Sequence, residues 1–107
     1  RGGVLYLSKS VAIEWAPLDI RVNCIAPGLI RSSGFDLYPP DVQRKCLRDS
    51  NPMRRVGNPP DIAEGCLYLC SPAGNFITGE VLTIDGGQQL WGDVWGIAKP
   101  EYFRFEE

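Results

Sequence analysis

Ile20-Arg21-Val22-Asn23-Cys24-Ile25-Ala26-Pro27-Gly28-Leu29-Ile30-Arg31-Ser32 decides the fold. The apolar, largely β-branched run from Ile20 to Ala26 reads as a strand, continuous enough in apolar character for burial on both faces. Pro27 withdraws a backbone donor and Gly28 frees the chain to turn, so the strand empties into a loop. In an open α/β sheet, ligands bind at such carboxyl ends of strands. The same scheme returns at Thr78-Gly79-Glu80-Val81-Leu82-Thr83-Ile84-Asp85-Gly86-Gly87, a strand of about Glu80 to Asp85 followed by a glycine turn. With a helix between them, the two strands are expected to lie parallel in one sheet.

Upstream of the first strand, Val4, Leu7, Val11 and Trp15 fall at helical spacing, and Leu5, Ala12 and Ile13 widen the stripe. A helix from about Gly3 to Trp15 is predicted, ended by Pro17 and linked to the strand through Leu18-Asp19. Downstream, Ser32-Ser33-Gly34, Pro39-Pro40 and Asn51-Pro52 break the pattern around one polar helix of about Asp41 to Asp49, an arrangement that reads as a lid. Asn58 then stands as a helix cap, with Pro59 at the first helical position and Asp61 as the partner of a capping box. Ile62, Ala63, Cys66, Leu67 and Cys70 form the apolar stripe of that helix, and Ser71-Pro72-Ala73-Gly74 closes it. From Gln88 to Glu107 the chain reads as irregular; Trp91, Trp95 and Tyr102 there can wall a hydrophobic pocket or seal a subunit contact.

The 107 residues carry a formal charge of −2, 44% hydrophobic and 22% charged residues, and no basic run, which argues against nucleic acid as a partner. No apolar stretch approaches the ~18 residues that would suggest a membrane span. Cys24, Cys46, Cys66 and Cys70 are even in number and so admit disulfides, but their apolar or helical surroundings favour reduced, mostly buried thiols. Cys66 and Cys70 share a helix face, yet the chain has no histidine and no second close cysteine pair, so a zinc site is not expected.

In their order and separation, IRVNCIAPGLIRS and ITGEVLTIDGG resemble the C-terminal part of the short-chain dehydrogenase/reductase family, and the resemblance covers nearly the whole chain. SSGFDLYPP and the aromatic tail are most similar to the branch with peroxisomal trans-2-enoyl-CoA reductase and citronellol dehydrogenases. The resemblance implies an α/β fold, with residues 1–107 the C-terminal portion of a Rossmann-like, doubly wound parallel sheet. The cofactor-binding first half is then absent, as is any GxGxxG motif, since neither Gly2-Gly3 nor Gly86-Gly87 makes one.

The implied activity is NAD(P)-dependent hydride transfer to or from a C=C or C=O of a hydrophobic small molecule, with an enoyl-CoA among the candidates. Pro27, Gly28, Leu29 and Ile30 would form the nicotinamide-side loop, the residue at Ile30 binding the carboxamide through its main chain. Ser32 stands at the family's usual Thr position and keeps a hydroxyl for the cofactor. Arg1 falls where the family's catalytic Lys stands, with the catalytic Tyr expected just before it. An arginine can hold a hydroxyl and supply charge, but it cannot be deprotonated. A homodimer or homotetramer using the first helix is implied, in an intracellular setting, cytoplasmic or peroxisomal, although Phe105-Glu106-Glu107 is no peroxisomal address. This piece alone is expected to be inactive and prone to aggregate.

Blander readings stand beside these. Pro27 and Gly28 can serve turn geometry alone, with Ser32 capping a short helix and Asn23 bonding within the loops. Tyr6 and Lys9, three apart, read as a helix-surface pair. Arg54 and Arg55 can meet coenzyme A phosphates, or form a solvated, salt-bridged loop. The whole chain can also be read as a non-enzymatic oligomerisation or regulatory module, docking through its first and capped helices.

Overall fold

The computed structural model describes residues 2–91. In chain order the elements are α1 (Gly2–Trp15), β1 (Cys24–Pro27), α2 (Ser33–Asp36), α3 (Pro40–Ser50), α4 (Pro59–Cys70), β2 (Val81–Ile84) and α5 (Gln88–Trp91), with 3₁₀ turns at Ala16–Leu18 and Pro72–Gly74. They fall into two compact units: one holds the residues up to Pro27 and Pro60–Ile84, the other Gly28–Pro59 and the residues from Asp85 on.

In the first unit β1 and β2 pair in parallel, Cys24 opposite Val81 through Pro27 opposite Ile84. The expected β-α-β scheme is therefore present. α4 approaches the sheet through Gly65, where any Cβ would strike the Ile84 Cδ1 atom. Glycine is weak inside a helix, and here it is the close approach that accounts for it.

The ladder begins at Cys24 rather than Ile20: upstream, one backbone bond, Gly79 N–H to the Val22 carbonyl at 2.8 Å, is interleaved with side-chain bonds. Val22 N–H donates to Thr78 Oγ1 (3.1 Å), Glu80 N–H donates to Asn23 Oδ1 (3.0 Å), and Asn23 Nδ2 donates to the Ile77 carbonyl (3.0 Å). Arg21 Nη1 reaches the Leu69 carbonyl at 2.7 Å, closing the C-terminal end of α4. Asn23 thus has the structural part expected of it. Asn23→Ala should leave the Glu80 N–H and Ile77 C=O without these partners and cost about 1 kcal/mol, water replacing part of the loss. Urea unfolding would measure it.

β1, apart from the exposed Pro27, and β2 are half-buried, against the expectation of burial on both faces, and each has an edge with no strand beside it among the described residues. α1 forms where its periodicity placed it, yet only Ala12 is buried there; Val4, Leu7 and Ile13 are more than 60% exposed. Lys9 does not pair with Tyr6: its Nζ donates to the Gly79 carbonyl at 2.7 Å, fastening α1 to the entry of β2, while Tyr6 is exposed. None of the four cysteines is in a disulfide, in line with the reduced thiols expected, but Cys24 and Cys46 are half-buried and Cys66 and Cys70 exposed, against the expectation of burial. Among the described residues no helix is long and apolar enough to cross a membrane.

Candidate functional site

The second unit gathers the loop after β1 around two turns distant in sequence. Gly28 lies so near Asp85 that an added Cβ would stand 2.6 Å from the Asp85 Cβ and 2.7 Å from its Cα. One residue on, Leu29 N–H donates to Gln88 Oε1 at 3.1 Å. Leu29 and Arg31 then bracket Gly57: Gly57 N–H donates to the Leu29 carbonyl (2.9 Å) and Arg31 N–H to the Gly57 carbonyl (2.7 Å), making a parallel bridge between Ile30 and Gly57.

That bridge determines what Ile30 presents. Because its two neighbours supply the bonds to Gly57, the extended backbone turns the Ile30 N–H and C=O to the opposite side. Neither takes part in a hydrogen bond among the described residues. A donor and an acceptor side by side on one residue match a primary carboxamide, which offers the complementary pair.

Ser32 follows in extended conformation and its Oγ accepts from Phe35 N–H at 3.2 Å, capping α2. Asp36 holds Arg31 Nη1 at 2.6 Å, and the guanidinium lies 5.6 Å from the centre of the buried Phe35 ring. The bland reading of Ser32 as a helix cap is therefore present, and it leaves the hydroxyl proton free to be donated elsewhere. Ser32→Ala should cost about 1 kcal/mol through the lost cap. In a four-residue helix that loss should surface as faster amide exchange at Phe35 and Asp36, with Ser32→Thr close to wild type.

The glycine turn is shaped by Asp85, whose two carboxylate oxygens accept from Gly87 N–H and Gln89 N–H, each at 2.9 Å. Gly86 and Gly87 both have positive φ, 65° and 90°, conformations that glycine adopts without the usual steric penalty. The capped donors start α5, so Gln88–Trp91 is one helical turn where an irregular tail was expected.

Against this turn rests Asn51, which in sequence is only part of a chain break. Asn51 is 3% exposed. Its Oδ1 accepts from Met53 N–H at 3.0 Å, its Nδ2 donates to the Arg55 carbonyl, and Met53 N–H also reaches the Gly86 carbonyl at 3.2 Å. Arg54 N–H closes the turn onto the Asn51 carbonyl at 2.9 Å, and Arg54 follows with φ of 60°. An Asn-Pro pair signals a turn; nothing local signals a buried one.

Of the residues singled out from sequence, Pro27 ends β1, and Gly28, Leu29, Ile30 and Ser32 form one continuous bonded loop. Arg1, Trp95 and Tyr102 lie outside the described residues, and Trp91 closes α5. Arg55 Nη1 donates to the Val56 carbonyl at 3.1 Å, in keeping with the loop reading of that pair. No group of three or more metal-ligating side chains occurs among the described residues.

A family model described as enoyl-(acyl carrier protein) reductase matches residues 1–89. The chain is 44% identical over 85 residues to dehydrogenase/reductase SDR family member 4 of Sus scrofa, covering 78% of this chain and 30% of that protein. It is 38% identical over 97 residues to a peroxisomal 2,4-dienoyl-CoA reductase of Saccharomyces cerevisiae, covering 90% and 33%. Against 7alpha-hydroxysteroid dehydrogenase of Escherichia coli the identity is 40% over 83 residues, covering 77% and 32%. The chain thus spans about a third of the length of these relatives. Among solved structures, 4-hydroxyisoleucine dehydrogenase complexed with NADH superposes with a TM-score of 0.75 at 30% identity, over 83% of this chain and 37% of that one. A 3-oxoacyl-[acyl-carrier protein] reductase from Brucella melitensis gives 0.74 at 32% identity, over 80% and 32%. The parallel α/β fold expected from the sequence is the one these dehydrogenases share.

Proposed function

This chain belongs to the short-chain dehydrogenase/reductase family, and from that premise we propose that it forms the nicotinamide-side part of an NAD(P)-dependent oxidoreductase. Residues 1–107 are, on this reading, the C-terminal part of one Rossmann-like domain. The observation that carries the proposal is the open peptide pair of Ile30, held by the bridge to Gly57 and unused by the described residues.

A bound nicotinamide would supply or accept the hydride. This chain's residues bind and orient. Ile30 N–H and C=O hold the carboxamide and so select which ring face meets the substrate. Pro27 ends the strand, Gly28 seats the loop on Asp85, and Leu29 N–H is occupied by Gln88, which leaves the Ile30 pair as the one in the loop without a bond among the described residues. Ser32 retains an O–H to donate to the cofactor while its oxygen caps α2. Arg1, at the position of the family's lysine, would supply the positive charge that the lysine gives to the family's acid–base tyrosine.

The substrate proposed is a hydrophobic small molecule reacting at C=C or C=O, with an enoyl-CoA as its finer form, in keeping with the sequence resemblance to the branch with peroxisomal trans-2-enoyl-CoA reductase. The likeness to a dienoyl-CoA reductase supports this, and that relative's peroxisomal name keeps a peroxisomal setting beside a cytoplasmic one. The exposed apolar side chains of α1 support assembly as a homodimer or homotetramer.

Fluorescence titration of the complete natural polypeptide with NADH and NADPH tests the proposal. One of the two should bind, and Ile30→Ala should change its Kd by less than about threefold, because the contact is made by main chain. A cofactor analogue with acetyl in place of carboxamide loses the amide donor and should bind roughly tenfold more weakly, about 1.4 kcal/mol. Failure of both dinucleotides to bind would end the proposal.

A further inference from the structure

The segment of residues 33–50, carrying α2 and α3, leaves the cofactor loop at one end and returns to it at the other. Its entry follows the Ile30–Gly57 bridge. Its exit is Asn51, the one buried polar or charged side chain among the described residues. Between them Leu37, Tyr38 and Val42 are exposed, apolar groups on a segment flanking the Ile30 pair.

We infer that Asn51 is a positioning residue: its amide seats the exit of residues 33–50 on the Gly86-Gly87 turn and thereby sets where the apolar wall of that segment stands beside the cofactor loop. This rests on the oxidoreductase reading for its meaning, though not for its geometry. Three observations meet at this side chain, and its neighbour Pro52 adds a fourth. Oδ1 and the Gly86 carbonyl share the Met53 N–H, at 3.0 and 3.2 Å. Nδ2 is spent on the Arg55 carbonyl. A Cβ at Gly86 would stand 2.8 Å from Oδ1, so the amide lies directly against the turn. Pro52 packs the same way on Gly87, where a Cβ would meet its Cγ at 3.1 Å.

The turn that Asn51 closes also places Arg54 at positive φ, which a non-glycine residue holds only when its surroundings impose it. Loss of the amide removes that restraint and leaves the part-buried Met53 N–H and Arg55 C=O each with a bond fewer. The exit then samples other conformations, and the apolar wall moves with it. Gln88 and Gly57 still hold Leu29 and Arg31, so the Ile30 pair stays in place.

Hydrogen–deuterium exchange on the complete polypeptide, with Asn51→Leu and Asn51→Asp, separates this role from a general loss of stability. Asn51→Leu should speed exchange across residues 33–50 by tenfold or more, leave that of residues 2–27 and 60–84 within twofold, and change the Kd of NADH or NADPH by less than threefold. Asn51→Asp keeps the acceptor for Met53 N–H and should recover about half of the protection. Uniform acceleration along the whole chain, or no local acceleration, overturns the inference. Wild-type protein that binds neither dinucleotide overturns the cofactor reading instead, and the exchange result still decides the part played by Asn51.

Discussion

Gly28→Ala is expected to destabilise the protein by about 3 kcal/mol or more, at the upper end of what an inserted methyl costs in a tight site. The new Cβ would fall within 2.7 Å of both the Cα and the Cβ of Asp85, and 2.9 Å from Gln88 Oε1. The first two atoms belong to backbone or are bound to it, so rotating a side chain cannot relieve the overlap. Asp85 cannot retreat without releasing Gly87 N–H and Gln89 N–H, which its carboxylate holds. The loop must move instead, and Leu29 N–H leaves Gln88. Denaturant unfolding should show the loss of stability. Under the proposed function, dinucleotide titration should show at least a tenfold weaker complex, since Ile30 travels with the loop. Leu29→Ala, which keeps every main-chain contact, is the control and should bind the cofactor normally. A Gly28→Ala protein within 1 kcal/mol of wild type would refute the close packing on Asp85.

Gly74→Ala is expected to be of similar size for a different reason. Gly74 is buried at the end of the 3₁₀ turn after α4. A Cβ there would lie 2.9 Å from the Leu69 carbonyl carbon and from the Tyr68 oxygen, and nearer still to the Leu69 oxygen. These carbonyls are already in use: Tyr68 O accepts from Ser71 Oγ at 2.8 Å, and Leu69 O from Arg21 at 2.7 Å. Displacing them opens the C-terminal end of α4 and breaks the link that brings the chain round to β2. Because Gly74 does not have positive φ, the expected cost of about 3 kcal/mol comes from volume alone. Gly74→Ser should therefore be as harmful as Gly74→Ala, and urea unfolding of the two side by side would check this. A serine variant much more stable than the alanine one would mean that the hydroxyl finds a partner and the site has room.

What could be read from sequence was whatever a few neighbouring residues settle between themselves. Helical spacing of apolar residues placed α1 and α4; Pro17 and Pro59 marked an end and a start; a strand run followed by Asp85-Gly86-Gly87 marked β2 and its turn. The PG and DGG segments, in order, also carried the family and the parallel sheet. Tertiary structure decided everything that depends on residues far apart in the chain. The start of β1 moved from Ile20 to Cys24 because the side chains of Asn23 and Thr78 take ladder positions 55 or more residues away. Asn51 read as punctuation, and its burial against Gly86 follows from folding alone. The same holds at the loop after β1: Pro27-Gly28-Leu29-Ile30 could be named from the motif, but the Ile30 N–H and C=O are without a bond among the described residues because Gly57, 27 residues on, takes the bonds of its two neighbours. A strand or helix period is a property of adjacent residues. Which backbone groups remain open is settled only when the whole chain has chosen its partners.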